Sequence, residues 1–386
     1  MLLLKETCIF VCELMIMGFS KRRPYNDLTY GLFSMYRKFI PFVLGLLLFF
    51  ACSPVTTVEI RTVCERDDIG NYIIKWETTP AIDGILKVYV SNSPCVFDHT
   101  RPVGYVNIPD GVTTYITNDN ITRKYFHLLF ADKYTKTVCA RKIKTDHVQN
   151  FRDIGGYKTA EKKYIQWGKV YRSGAFIRIN DWDSIRINRL NIKTLIDLRS
   201  PSEKSLNPVS YQPLNIKQIP IYSESLRDVF PRISEGRMKK GDVYLMLQDR
   251  YLDYVALFEK EIGQALTIFA DEKNYPIVIS SSFGKDRAGL LTCLLLHILD
   301  VPEETIIKDY LLSNKYIEKE ELAYLVQNSN MDVQEALTTF LSVDEQLYHL
   351  FFKQIKEKYG TVGNYLTKKI GITEKEQERI KTIILE

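Results

Sequence analysis

Residues 276–296, PIVISSSFGKDRAGLLTCLLL, constrain the fold more than any other stretch of the chain. Residues 276–279 form an apolar run of strand length, 280–288 are small or charged, and from Gly289 the sequence is apolar again for about three helical turns without a breaker. This pattern predicts a buried strand, a phosphate-sized loop and the helix that the loop opens. The first turn of a helix leaves backbone N–H groups unpaired and carries the positive end of the dipole, so such a loop collects anions. Gly284 lets the backbone approach a ligand, Arg287 can offer a planar two-pronged contact, and Lys285 adds a point charge, which together suit a phosphoryl group. The nucleotide-binding alternative GxxxxGK[ST] does not fit. Ile279 stands where its first glycine belongs, and Asp286 stands where a Ser or Thr would hold magnesium.

The segment SSSFGKDRAG resembles the signature loop of protein tyrosine phosphatases, in particular the bacterial tyrosine/lipid phosphatase group with the loop HCxxGKDR[TA]G. Three further blocks are similar to that group in the same order: NFRDIGG at 150–156 with WGKVYRSG at 167–174, TLIDLRSPSE at 194–203, and DYLLSN at 309–314. The resemblance implies an α/β domain with a central sheet flanked by helices. It also implies hydrolysis of phosphoric monoesters without metal or cofactor. Expected substrates are a phosphorylated peptide, a phosphoinositide or another phosphomonoester. By the same resemblance, Ser282, Phe283, Gly284, Lys285, Arg287 and Ala288 surround the phosphate.

One position departs from the family pattern. Six residues before Arg287, where the family carries its nucleophilic cysteine, stands Ser281, and Ser280 replaces the preceding histidine. A cysteine there works as a thiolate, its pKa lowered by loop amides and the helix N-terminus. A serine hydroxyl gains little from that field and needs a neighbouring base. None of the five histidines, His99, His127, His147, His297 and His349, is near it in sequence. Cys293 lies about two turns into the helix on an apolar face, as a small core residue does. Three readings stay open: a phosphatase with an unorthodox serine step, a pseudophosphatase that binds phosphorylated ligands without turning them over, and a structural surface lipoprotein whose vestigial loop binds no phosphate.

The remaining candidates each carry a structural alternative. Asp197, at the end of an expected buried strand, and Asp286, inside the loop, are two possible general acids. Either could instead serve as partner to Arg199, Arg287 or loop amides. Arg152, Asp153 and Arg199 are possible ligand contacts, although Arg152 could equally pair with a carboxylate. Arg227, Arg232, Arg237, Lys239 and Lys240 form a basic run that is either a cover over an anionic ligand or solvated surface. Residues 243–271 have the apolar spacing of a helix.

Ahead of this domain the chain changes character. Runs at 58–63, 72–76, 85–90, 104–108, 113–117, 124–130 and 137–143, punctuated by proline and Asp-Gly, predict a β-sandwich of fibronectin type III or immunoglobulin-like architecture over 57–145. The phosphatase-like domain then takes 146–386. Cys64 and Cys139 lie near the ends of the first and last runs and could form a disulfide, or stay as buried thiols. Residues 35–52, MYRKFIPFVLGLLLFFAC, read as an export signal that ends in a lipoprotein box, with Cys52 lipidated and 53–56 as a tether. Met35 is a second candidate start within the signal region 1–52. The expectation is an exported cell-envelope lipoprotein held on a membrane through Cys52. At 386 residues with 45% hydrophobic and 26% charged composition, the chain is long enough for two domains. Its net charge of +5 is dispersed, which excludes a nucleic-acid stripe and mildly favours anionic ligands.

Overall fold

The computed structural model describes residues 58–211, 215–318, 327 and 329–386. The export segment, Met35 and Cys52 lie outside the described residues. Glu59 to Glu386 form one compact unit.

Seven antiparallel strands come first. Strands β1 (Glu59–Arg66), β2 (Tyr72–Thr79) and β5 (Val112–Tyr115) make one sheet in the order β1-β2-β5. Strands β3 (Ile85–Ser91), β4 (Gly104–Asn107), β6 (Tyr125–Phe130) and β7 (Tyr134–Cys139) make the other, in the order β4-β3-β6-β7. Alternating side chains of both sheets meet in one core that includes Tyr72, Ile74, Trp76, Leu86, Val88, Phe126, Leu128 and Phe130. The Trp76 indole N–H is satisfied by the Ile108 carbonyl at 2.7 Å, so its ring is buried without leaving an orphan donor. Cys64 and Cys139 are both buried free thiols, and the disulfide weighed for them is not formed. The Cys139 Sγ donates instead to the Lys124 carbonyl at 3.1 Å.

The second sheet has five strands: β8 (Arg152–Asp153), β9 (Val170–Ser173), β10 (Thr194–Asp197), β11 (Asn215–Gln218) and β12 (Ile277–Ser280), in the order β11-β10-β12-β9-β8. Its four longer strands are parallel, and only β8 runs against its neighbour. Helices cover both faces, so β12 and β10 are buried along their whole length, which explains why both read as continuous apolar runs. Ile196, Ile277 and Ile279 face the large helical core, whereas Leu195 and Val278 face a smaller one with Phe151, Tyr171 and Phe176. Parallel register places Asp197 beside Ser280 and Ser280 beside Ser173. Three carboxyl ends therefore share one edge of the sheet, where α/β proteins build their sites.

The helix after β12, Arg287–Ile298, is buried at every position but His297. Its five leucines, Leu290, Leu291, Leu294, Leu295 and Leu296, each stabilise the fold by about 1.5–3 kcal/mol through removal from water. The expected helix at 243–271 is divided in two, Lys240–Leu257 and Glu259–Thr267, with the break at Phe258.

Candidate active site

The loop between β12 and its helix is held from behind by two of the sequence blocks, 150–156 with 167–174 and 309–314. Gly284 adopts φ of +65°, and a Cβ on it would lie 2.3 Å from the Ser173 carbonyl oxygen, so no other residue fits there. The Gly284 carbonyl accepts from Arg172 Nε and Nη2 at 3.2 and 3.0 Å. Asn150 Nδ2 donates to the Phe283 carbonyl at 3.0 Å. Arg172 Nη1 pairs with Asp309 Oδ2 at 2.8 Å, and Arg152 Nε with Asp309 Oδ1 at 3.2 Å. Ser313 Oγ accepts from both arginines. These side chains are essentially without solvent exposure. Burial raises the Asp309 pKa, but the two guanidinium charges outweigh it and hold the carboxyl well below the usual range.

This packing engages both Arg152 and Asp153 with groups of the protein, which for Arg152 is the carboxylate pairing weighed beside ligand contact. They lie side by side on β8 and point to opposite faces, as strand neighbours do. Arg152 is spent on Asp309 beneath the loop. Asp153 is spent on the β-sandwich: Arg123 Nη1 lies 2.6 Å from its Oδ2, and the Gly168 amide donates to the same oxygen at 2.8 Å. The Arg123 guanidinium also stacks over Tyr125, Trp167 and Tyr171 at 5.0, 5.7 and 5.9 Å. Both are 0% exposed, and neither lines the cavity beside Ser281.

On the open side of the loop, Arg287 is gripped by Glu203, with Nη1 to Oε2 and Nη2 to Oε1 both at 2.7 Å. The Leu198 and Ile221 carbonyls accept from Nη1 as well, and Ser282 Oγ accepts from Nη2 and donates to Glu203. Glu203 also closes the capping box of the helix Pro201–Leu206, its Oε2 accepting from the Ser200 amide at 2.8 Å. Burial would raise the Glu203 pKa, but hydrogen bonds and charge from Arg287 bring it down to about 2. Glu203 was visible in sequence as the fourth residue of an S-x-x-E box, yet nothing local revealed that its carboxylate crosses to Arg287.

Asp197 and Asp286 separate clearly. Arg199 Nη2 meets Asp197 Oδ2 at 2.9 Å and Arg199 Nε meets Oδ1 at 3.0 Å, both residues being buried and engaged with each other. Asp286 lines the same small cavity as Ser281, Ser282, Phe283, Lys285 and Arg287. Its Oδ1 accepts from Lys285 Nζ at 2.8 Å and from the Tyr251 hydroxyl at 2.7 Å. Burial would raise the Asp286 pKa, but Lys285 and Arg250 outweigh it and lower it below its ordinary value. Ala288 is buried as the second residue of the helix.

Ser281 is 2% exposed, and its amide donates to the Ser173 carbonyl at 3.4 Å. Among the described residues no side chain forms a hydrogen bond with its hydroxyl. The histidines are engaged elsewhere: His127 faces Thr137 and meets His99 edge to face, His147 faces Asp183, His297 faces Tyr348 and His349 faces Glu345. Cys293 is fully buried, and burial pushes its thiol up to about 12. The basic run between 227 and 240 is exposed surface, with Arg237 paired to Glu235, Lys239 to Asp332 and Lys240 to Glu335.

A profile of the tyrosine phosphatase family matches residues 143–386, which include every element around the loop. The chain belongs to the tyrosine phosphatase family. A Cupriavidus necator protein, named provisionally as a tyrosine-protein phosphatase, is 27% identical over 225 residues, covering 57% of this chain and 81% of that protein. The triple specificity protein phosphatase PtpB of Mycobacterium tuberculosis is 22% identical over 272 residues, covering 61% of this chain and 96% of that protein. Among solved structures, the core catalytic domain of the PP-IP phosphatase SIW14 from S. cerevisiae matches with 15% identity, 56% of this chain, 96% of that chain and a TM-score of 0.25.

The sequence blocks thus resolve into two groups. Asn150, Arg172, Asp309 and Ser313 brace the loop from behind, while Arg287, Lys285, Asp286 and Ser281 face the cavity. The roles of Arg172, Asp309 and Ser313 had no individual signal, because an arginine paired across 137 residues of sequence looks the same as any other.

Proposed function

We propose that the loop binds a phosphomonoester and that Ser281, in place of cysteine, leaves the protein a phosphate-capturing member of its family with little or no turnover. The observation that carries this reading is the isolation of the Ser281 hydroxyl. An alcohol attacks phosphorus only when a base removes its proton, and no base is in hydrogen-bonding contact with it among the described residues. Binding asks for less. Loop amides, Lys285 and the Nε edge of Arg287 can hold the three equatorial oxygens, as electrostatic stabilisation of phosphoryl groups requires. Of the two candidate acids Asp286 is the one that lines the cavity, and its pairing with Lys285 favours the ionised form, which does not donate a proton, in keeping with little turnover.

The test is a phosphatase assay with wild type, Ser281→Cys, Ser281→Ala and Arg287→Ala, with binding of phenyl phosphate followed in parallel. Binding that depends on Arg287, without turnover, is expected, with activity appearing in Ser281→Cys. Turnover by wild type that Ser281→Ala abolishes would make the protein a serine enzyme instead.

We infer further that the seven-stranded module is a fibronectin type III-like spacer, supported by its three-plus-four strand order, and that residues 35–52 export the chain for lipidation at Cys52. The phosphorylated ligand would then be met at the cell envelope. Labelling with a fatty-acid analogue should be lost in Cys52→Ala. Labelling that persists in that variant would remove the anchor.

A further inference from the structure

Beside the loop stands a cation that the loop motif does not contain. Arg250, on the helix Lys240–Leu257, lines the same cavity as Ser281, Lys285 and Arg287. It is 5% exposed, and its Nε is buried without a hydrogen-bond partner among the described residues. Its Nη2 donates to the Glu224 carboxylate at 2.9 Å and to the Glu224 carbonyl at 3.4 Å, and its guanidinium lies 5.7 Å from the Phe340 ring centre.

Three cation–carboxylate pairs therefore line this cavity: Arg287 with Glu203, Lys285 with Asp286, and Arg250 with Glu224. They differ in how readily the acid can leave. The side chains of Glu203 and Asp286 are 7% and 12% exposed, whereas that of Glu224 is 33% exposed and can turn to water. Once Glu224 turns away, Arg250 faces the cavity as a buried, uncompensated charge, an arrangement that is costly unless another anion replaces the carboxylate. A single phosphate in the loop does not need Arg250, because the amides and Arg287 already surround it.

We propose that Arg250 forms a second anion subsite, so that the preferred ligand carries two phosphomonoesters, one in the loop and one displacing Glu224. This rests on the loop binding phosphate, and it adds the substrate class. The unpartnered Nε, together with the Nη2 edge that Glu224 vacates, offers the planar fork that phosphate oxygens match. Arg250 is thereby a specificity-determining residue, contributed by a helix outside the family's sequence blocks.

The experiment is calorimetric titration of the full chain with phenyl phosphate and with 1,2-phenylene bisphosphate, which differ only in the second phosphate. Wild type should bind the bisphosphate tighter by about tenfold or more, the range expected for hydrogen bonds to a buried charge. In Arg250→Gln the ratio of the two affinities should fall to about one. In Glu224→Gln, where the competing carboxylate is neutralised and Arg250 is kept, the ratio should rise several-fold, a change that a merely structural Arg250–Glu224 pair would not produce. Equal affinities in wild type, or a preference that survives Arg250→Gln, would overturn the second subsite while leaving the loop reading intact. Failure of both ligands to bind, or binding indifferent to Arg287→Ala, would overturn the loop reading itself.

Discussion

Arg287 and Glu203 meet as a two-pronged buried pair, with two parallel contacts of 2.7 Å, and Glu203 simultaneously caps the helix Pro201–Leu206. The orientation of this cavity-lining arginine is thereby tied to a helix that begins just beyond β10. A guanidinium anchored along one edge keeps its Nε edge in a fixed direction, which reduces the ordering cost of gripping an anion.

Replacing Glu203 by Gln should therefore damage stability and binding together. The variant keeps the shape but leaves Arg287 buried without a counter-charge, a change worth about 3–5 kcal/mol. Chemical denaturation should show the loss, and phenyl phosphate affinity should fall at least about tenfold. A variant with wild-type midpoint and wild-type affinity would mean that the pair does not orient Arg287.

Acid should weaken the fold in two steps. The His297 pKa is depressed to about 4 by burial, so its contribution is full above the unfolded value of about 6.5 and is lost as pH falls toward 4. Glu203, depressed to about 2 from 4.5, contributes on the order of 3 kcal/mol above pH 4.5 that disappears as pH falls toward 2. Midpoints of urea unfolding measured from pH 8 to 2 should decline in both windows. The lower step should shrink in Glu203→Gln, the remainder coming from other carboxylates held below their ordinary range, such as Asp309.

Gly284→Ala tests the loop's backbone. The added methyl would sit 2.3 Å from the Ser173 carbonyl oxygen at a positive φ, so either the loop or β9 must move. A stability loss above the ~1–3 kcal/mol of backbone strain alone is expected, with phosphate binding abolished. Retained binding at wild-type affinity would contradict the close packing of loop and strand.

The β-sandwich should behave as part of one unit. Arg123→Met and Asp153→Asn are each expected to be destabilising, and the double variant should cost less than their sum by about 1 kcal/mol or more, as for groups in direct contact. Strict additivity in thermal unfolding would show that the two do not interact. Trp167, whose Nε1 donates to the Thr137 carbonyl at 3.2 Å across the same junction, provides a fluorescence signal for it.

The order of strand, loop and helix at 276–296 was legible from sequence, because hydrophobic period and the placement of Gly284 and Arg287 are local properties of the chain. So were the positions of the seven early strands to within a few residues, since alternating side chains and turn residues set them. The departure at Ser281 was equally plain. Pairing was not legible. Asp197 and Asp286 looked alike as candidate acids until the fold gave one to Arg199 and left the other facing the cavity. Arg152 and Asp153, adjacent in sequence, were separated onto opposite faces of β8, one holding the loop's support and the other the sandwich. Arg250 carried no signal, because a lone arginine on an amphipathic helix gains a role only from what lies across from it. Sequence by itself determined the elements and the chemistry that the loop could offer, because those depend on neighbours along the chain. Tertiary structure alone decided which charges are spent on one another and which line the cavity, because even near neighbours such as Asp197 and Arg199 pair only in the geometry the fold gives them, and Arg287 meets Glu203 across more than eighty residues.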